Sequence, residues 1–236
     1  MDQGGAGKGR TMILYANSDS YGICSTGKTY VDFIGEDIKA DRIINNGLSG
    51  SCNRRIIRTT VRDLTSLNDQ HKDIVAIIGL AHTNRFEYWE DNFQQPNDGH
   101  FYSFQPKFPV SDSAKNLYRG WIETYNDDAA NTNLFLDLIL LTTFLKSHNI
   151  KYLIWQGCMT LKESNFDAPF IKNFYDHVKT DSKILDMFDF SFSKYCSTIK
   201  GYKPYDSARY GIYGHHAEPA HRDFASHLLE NYLNEI

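Results

Sequence analysis

The run Asp73 to Leu80 (DIVAIIGL) constrains the fold of this chain more than any other stretch. Past Asp73 no hydrophilic residue interrupts it, so a strand built from it must meet apolar neighbours on both faces. Strands of that kind belong to parallel sheets covered by helices on either side. Parallel neighbours need long crossovers, and the remaining pattern supplies them. Met12 to Ala16, Arg42 to Asn46 and Ile150 to Gln156 read as further strands. Helix-spaced apolar residues occupy Thr29 to Ala40, Ser51 to about Leu67, Ala129 to Asn149, Asp167 to Val178 and Arg222 to Glu235. The segment Ile184 to Phe192 fits either class. The alternation predicts an α/β chain: a three-layer α/β/α, flavodoxin-like doubly wound parallel sheet. One domain is expected over 12–236, with an aromatic-rich insertion at about 81–127. Residues 1–11, polar and Gly-rich, read as a disordered leader without the apolar stretch of a secretory signal.

Composition narrows the function classes. Lys and Arg total 25 against 29 Asp and Glu, a net charge of −4, which argues against nucleic acid as a partner. No apolar run nears the roughly 20 residues that cross a bilayer, so no membrane partner is expected. The four cysteines, at 24, 52, 158 and 196, show neither metal-ligand spacing nor the density of a disulfide scaffold. Reduced thiols and a cytoplasmic location follow, with no metal or organic cofactor. An oligomer stays open.

In doubly wound sheets ligands sit beyond the C-terminal strand ends, so those loops are the ones to search. After the first strand stands Asn17-Ser18-Asp19-Ser20-Tyr21-Gly22, where Ser20 is a candidate nucleophile; such turns also arise simply because Ser and Asp cap backbone groups. After the second comes Asn46-Gly47-Leu48-Ser49-Gly50, leading into a helix whose N-terminal amides favour a developing anion. After the third come His82, Asn84 and Arg85, with Arg85 placed to pair with Glu87. Ahead of the last helix, three of the nine histidines lie between His215 and His221. Histidine is the natural base for a serine hydroxyl near neutral pH. A metal site is disfavoured because adjacent His215 and His216 point their rings apart. The competing motif is Gly22 to Thr29, which matches GxxxxGK[ST] in full. In a nucleotide-binding protein Lys28 and Thr29 would meet phosphate and Mg²⁺. Against it, Asn17 to Tyr21 separates the motif from its strand, and no later apolar strand ends in a carboxylate.

Together these blocks resemble the SGNH/GDSL hydrolases, esterases on a three-layer α/β fold. Ser18-Asp19-Ser20 is similar to the GDS block, with serine for its glycine. Asn46 to Gly50 is similar to the second block, which carries the oxyanion-donating glycine over to Gly50. His215 to His221 has the spacing of the last block, making His215 the first choice of base and His216 the second. The order also resembles SGNH-like proteins of bacteriophages, which would mean the host cytoplasm for a viral chain. The resemblance implies a serine esterase that removes a short acyl group, acetyl for instance, from a small-molecule or carbohydrate ester through an acyl-enzyme. Two parts depart from the family pattern. Ile212 and Tyr213 stand where its acid would precede the histidine, leaving Asp206 or a backbone carbonyl to orient the ring. Ala81 stands at its oxyanion asparagine, leaving His82 or Asn84. A catalytically inactive SGNH-like binding module is the third reading.

Overall fold

The computed structural model describes residues 11–23, 27–68, 73–89, 101–104, 112–162, 169–207 and 212–234. Residues 1–10 of the expected leader, Cys24 to Thr26 of the phosphate-loop motif and parts of the 81–127 segment lie outside the described residues. In chain order the elements are β1 (Met12–Ser18), α1 (Tyr30–Asp37), β2 (Arg42–Asn45), α2 (Asn53–Asn68), β3 (Asp73–Leu80), β4 (Phe86–Trp89), β5 (Phe101–Phe104) and α3 (Asp112–Thr124). There follow α4 (Asp127–Ser147), β6 (Lys151–Gln156), α5 (Pro169–Lys179), α6 (Phe192–Lys194), β7 (Tyr205–Ser207), β8 (Ile212–His215) and α7 (Glu218–Leu228).

Four strands form a wholly parallel sheet in the order β2-β1-β3-β6. Successive residues of a strand face opposite sides, and that alternation sorts the apolar runs into two cores. Ile13, Tyr15, Ile74, Ile78 and Tyr152 meet Ile56 and Leu64 of α2 and Leu138 and Leu141 of α4. Leu14, Val75, Ile77 and Trp155 meet Val31 and Ile34 of α1 and Phe224 and Leu228 of α7. The result is the three-layer α/β/α arrangement that the continuous run of β3 requires.

Local signals explain where helices begin. Thr29 caps α1 by accepting from the Asp32 N–H, and the Asp32 carboxylate accepts from the Thr29 N–H in return. Asn126 caps α4, with Asp127 and Asp128 in its first turn and Lys146 in its last, as the helix dipole favours. The Lys28 ammonium pairs with Glu36 on α1, so Lys28 and Thr29 of the phosphate-loop motif both serve this helix.

The structure adds elements that periodicity missed. Within 81–127 it places the antiparallel hairpin β4–β5 and helix α3, neither of which joins the central sheet. The undecided segment 184–192 runs beside β6 through two isolated parallel bridges, Ile154 to Ile184 and Gln156 to Ser191. A second antiparallel hairpin, β7–β8, precedes α7. That last helix starts at Glu218, before the expected Arg222, because Pro219 suits a first turn where its missing N–H is no loss. It ends in a π-helical turn, Leu229–Leu233. No helix among the described residues is long and apolar enough to cross a membrane.

Candidate active site

β1 ends in a 3-10 turn, Ser20–Gly22, that begins with the buried Ser20. Asp19 holds the turn by accepting the Tyr21 N–H at 3.0 Å. The Asp19 side chain is fully buried and meets Arg85 Nη1 at 3.2 Å. The same Nη1 donates to the Ser51 carbonyl at 3.2 Å. Burial pushes the Asp19 carboxyl up to about 6, against the opposing pull of Arg85.

The loop after β2 is stitched to this turn. Asn45 donates to the Gly22 carbonyl at 2.8 Å and accepts the Gly47 N–H at 3.0 Å. The Leu48 N–H reaches the Ser18 carbonyl at 3.1 Å. Gly50 follows in the left-handed region at φ 82°, a conformation that costs glycine nothing. It is buried, and neither its N–H nor that of Ser20 makes a hydrogen bond among the described residues.

After β3 the Asn53 amide clamps Ala81 in both directions, at 2.7 and 2.9 Å. The chain then turns, with the Asn84 N–H donating to His82 Nδ1 at 3.1 Å. The Asn84 side chain has no hydrogen bond to the Ser20 turn; Arg85 is the residue of this loop that reaches it. The expected Arg85–Glu87 pair does not form. Glu87 is instead held by both nitrogens of Arg58, at 3.1 and 2.7 Å, because β4 sits beside α2 while Arg85 is drawn to the buried Asp19. After β6, Gly157 packs where a Cβ would come within 3.0 Å of the Leu80 carbonyl, and Cys158 accepts from the Tyr21 hydroxyl.

The structure separates the two neighbouring histidines. The His215 ring stacks on Tyr21 at 5.0 Å between centroids and bonds to the Ser20 carbonyl. Burial, then the Arg85 charge, lowers its basicity below the ordinary imidazole value, and the Ser20 carbonyl partly restores it. His216 instead packs on Phe192, with Nε2 3.3 Å from Ser197 Oγ. Asp206 lies on β7, the strand paired with β8, and its side chain is outside the described residues. Ser20, Gly50 and His215 therefore stand at the C-terminal end of the sheet, His216 faces away, Tyr21 and Cys158 join the cluster without having been singled out, and Arg85 joins it through Asp19 rather than through the pair with Glu87. The signal for Arg85 was Asp19 itself, since a carboxylate in a buried turn needs a cation. Among the described residues no three metal-ligating side chains cluster together.

His221 is structural. It accepts the Tyr30 N–H through Nδ1 at 3.3 Å, and its ring bonds to the His216 carbonyl. Burial pushes its imidazole down to about 4. The unfolded chain, with an ordinary histidine near 6.5, binds a proton that the fold refuses. The neutral ring thus contributes its full stability above pH 6.5 and loses it as pH falls toward 4, roughly 3 kcal/mol in all. His221→Gln, which keeps an acceptor for Tyr30, is expected to be less stable than the wild type at pH 7, with the gap closing near pH 4. Urea unfolding at both pH values measures it, and a pH-independent gap would contradict the assignment.

The family model described as Family of unknown function (DUF6071) matches residues 25–189. No curated protein matches the chain. Among solved structures, a GDSL-like lipase from Bacteroides thetaiotaomicron is similar at 11% identity and a TM-score of 0.48, over 94% of this chain and 88% of that one. A psychrotrophic esterase from Pseudoalteromonas sp. is similar at 13% identity and 0.45, over 94% and 98%. A lipase/acylhydrolase from Enterococcus faecalis is similar at 11% identity and 0.45, over 96% of each.

Proposed function

The chain belongs to the family of unknown function DUF6071, and from the side chains gathered at its strand ends we propose that it is a serine hydrolase of short acyl esters. The observation that carries this reading is the meeting of two residues far apart in sequence, Ser20 at the end of β1 and His215 at the end of β8. A buried serine at the start of a helical turn, beside a neutral imidazole and two backbone N–H groups that are unengaged among the described residues, is suited to acyl transfer.

Ser20 Oγ forms a bond to the ester carbonyl carbon and passes its proton to the free ring nitrogen of His215. The carbonyl oxygen becomes an oxyanion, held by the Ser20 and Gly50 N–H groups. Collapse breaks the bond to the alcohol oxygen, which takes the proton from His215. Water then attacks the acyl-enzyme, gives its proton to His215, and the acid leaves as Ser20 recovers its hydrogen. The Ser20 carbonyl, already bonded to the ring, orients His215 where a carboxylate would otherwise do so. Ser20 Oγ and His215 are not hydrogen-bonded in the free protein. Such bonds commonly tighten only once substrate is bound.

A fluorophosphonate probe tests the reading: it is expected to add one covalent label, on the Ser20 peptide. Its absence would favour the second reading, a binding module, for which the bond from His215 to the Ser20 carbonyl rather than the hydroxyl speaks. His215→Ala is expected to lower kcat on p-nitrophenyl acetate by about 10²–10⁴-fold, while His216→Ala changes it only a few-fold. Since the His215 imidazole titrates below the ordinary value, the wild type keeps its base unprotonated to below pH 6.5. The acid limb of kcat/KM is expected there, and a limb above 6.5 would exclude His215 as the base.

A further inference from the structure

Helix α4 carries leucines on both of its sides, although only one side meets the core. Leu134, Leu138, Leu141 and Leu145 are buried there, while Leu136 and Leu140 stay 40% and 61% exposed. A lone exposed leucine needs no explanation. Here the exposed residues are ordered. Apart from Lys146, those of α4 are Ala129, Asn133, Leu136, Leu140, Thr143 and Ser147. They advance by four and three residues in alternation, which is the repeat of about 3.5 residues that makes a coiled-coil seam. The seam carries no charge.

The seam is also complementary to itself. Laid antiparallel against a second copy, level at Leu138, it sets Leu136 against Leu140, Asn133 against Thr143 and Ala129 against Ser147. Leucine meets leucine at the centre, and small residues let the helices close at both ends. The Asn133 amide makes no hydrogen bond among the described residues and would gain the Thr143 hydroxyl as acceptor. That hydroxyl spends its own proton on the Ile139 carbonyl at 2.7 Å, which leaves its oxygen able to accept. Charge agrees with this direction. The first turn holds Asp127 and Asp128 and the last holds Lys146, so an antiparallel pair brings acid to base. A parallel pair would set like ends and like dipoles together. We propose that the exposed face of α4 is a two-fold interface between two copies of this chain, joined antiparallel in this register. The interface does not depend on the hydrolase reading.

Sedimentation equilibrium of the full chain over a concentration series tests this. Because one helix is a small contact, the mass is expected to rise reversibly from one chain toward two. Leu140→Glu sets a charge against Leu136 of the other copy, and Leu136→Glu does the same by symmetry. Each is expected to weaken association about tenfold or more. Both side chains are exposed in the single chain, so the melting temperature of the dilute protein should hold. Ile199→Glu, equally exposed at 60% but on the α7 side of the sheet, is expected to leave association unchanged. Cysteines test the register. Asn133→Cys with Thr143→Cys is expected to give a covalent dimer on oxidation, since about 15 Å of helix separates the two positions within one chain. Asn133→Cys alone should add nothing to the wild-type background, because its counterpart is Thr143. A chain that stays single at every concentration overturns the proposal and leaves the face to a different protein. Association undiminished in both glutamate variants, no covalent dimer from the double variant, or one from Asn133→Cys alone would overturn it equally.

Discussion

Ser20→Ala is expected to lose turnover of p-nitrophenyl acetate by about 10⁴-fold or more, with thermal stability close to that of the wild type. The size of the effect comes from removing the only group that forms the covalent intermediate. What remains is the stabilisation that the Ser20 and Gly50 N–H groups give to direct attack by water. The fold should tolerate the change. Ser20 Oγ makes no hydrogen bond among the described residues, and the turn is held by Asp19 accepting from Tyr21 and by the backbone bond from the Gly22 N–H to the Asp19 carbonyl. Steady-state kinetics beside a melting curve check both halves. Retained turnover in the alanine variant would exclude Ser20 as nucleophile whatever the fold.

Arg85→Met carries the largest expected loss of stability, about 3–5 kcal/mol, because it leaves the Asp19 carboxylate buried and uncompensated. In a chain of 236 residues that corresponds to a fall in Tm of about 10 °C. The carboxyl of Asp19, already pushed up to about 6 by burial, rises further once the guanidinium is gone. A carboxyl that is more easily protonated folded than unfolded favours folding as pH falls. The Arg85→Met defect is therefore expected to shrink on acidification toward pH 5. Adding Asp19→Asn should recover most of the loss at neutral pH. Calorimetric melting of the wild type, the single variant and the double variant at pH 5 and 7 gives the answer. A single variant as stable as the wild type at pH 7 would show that the pair carries no such energy.

Much of the fold could be read from residue patterns. The run from Asp73 to Leu80 demanded cover on both faces and found it, with α2 and α4 on one side and α1 and α7 on the other. The hairpins were not legible. Phe86 to Trp89 is short and mixed in polarity, and it pairs with residues 101–104 across an intervening stretch that carries no strand signal. For the candidate site, the loops after the strands could be named in advance, since a parallel sheet brings all its C-terminal ends to one edge. Which side chains meet there could not.

Sequence by itself determined the layered sheet and the loops that border its functional edge, because burial periodicity and strand direction are local properties of the chain. The tertiary structure decided the partners. Asp19 meets Arg85 across 66 positions, and Glu87 is taken by Arg58 rather than by its near neighbour. His215 and His216 are adjacent in sequence, yet His215 closes β8 and His216 lies just beyond it, so one ring reaches the Ser20 turn and the other Ser197. A buried charge takes whichever counter-charge the fold carries to it, and proximity along the chain says little about proximity in space.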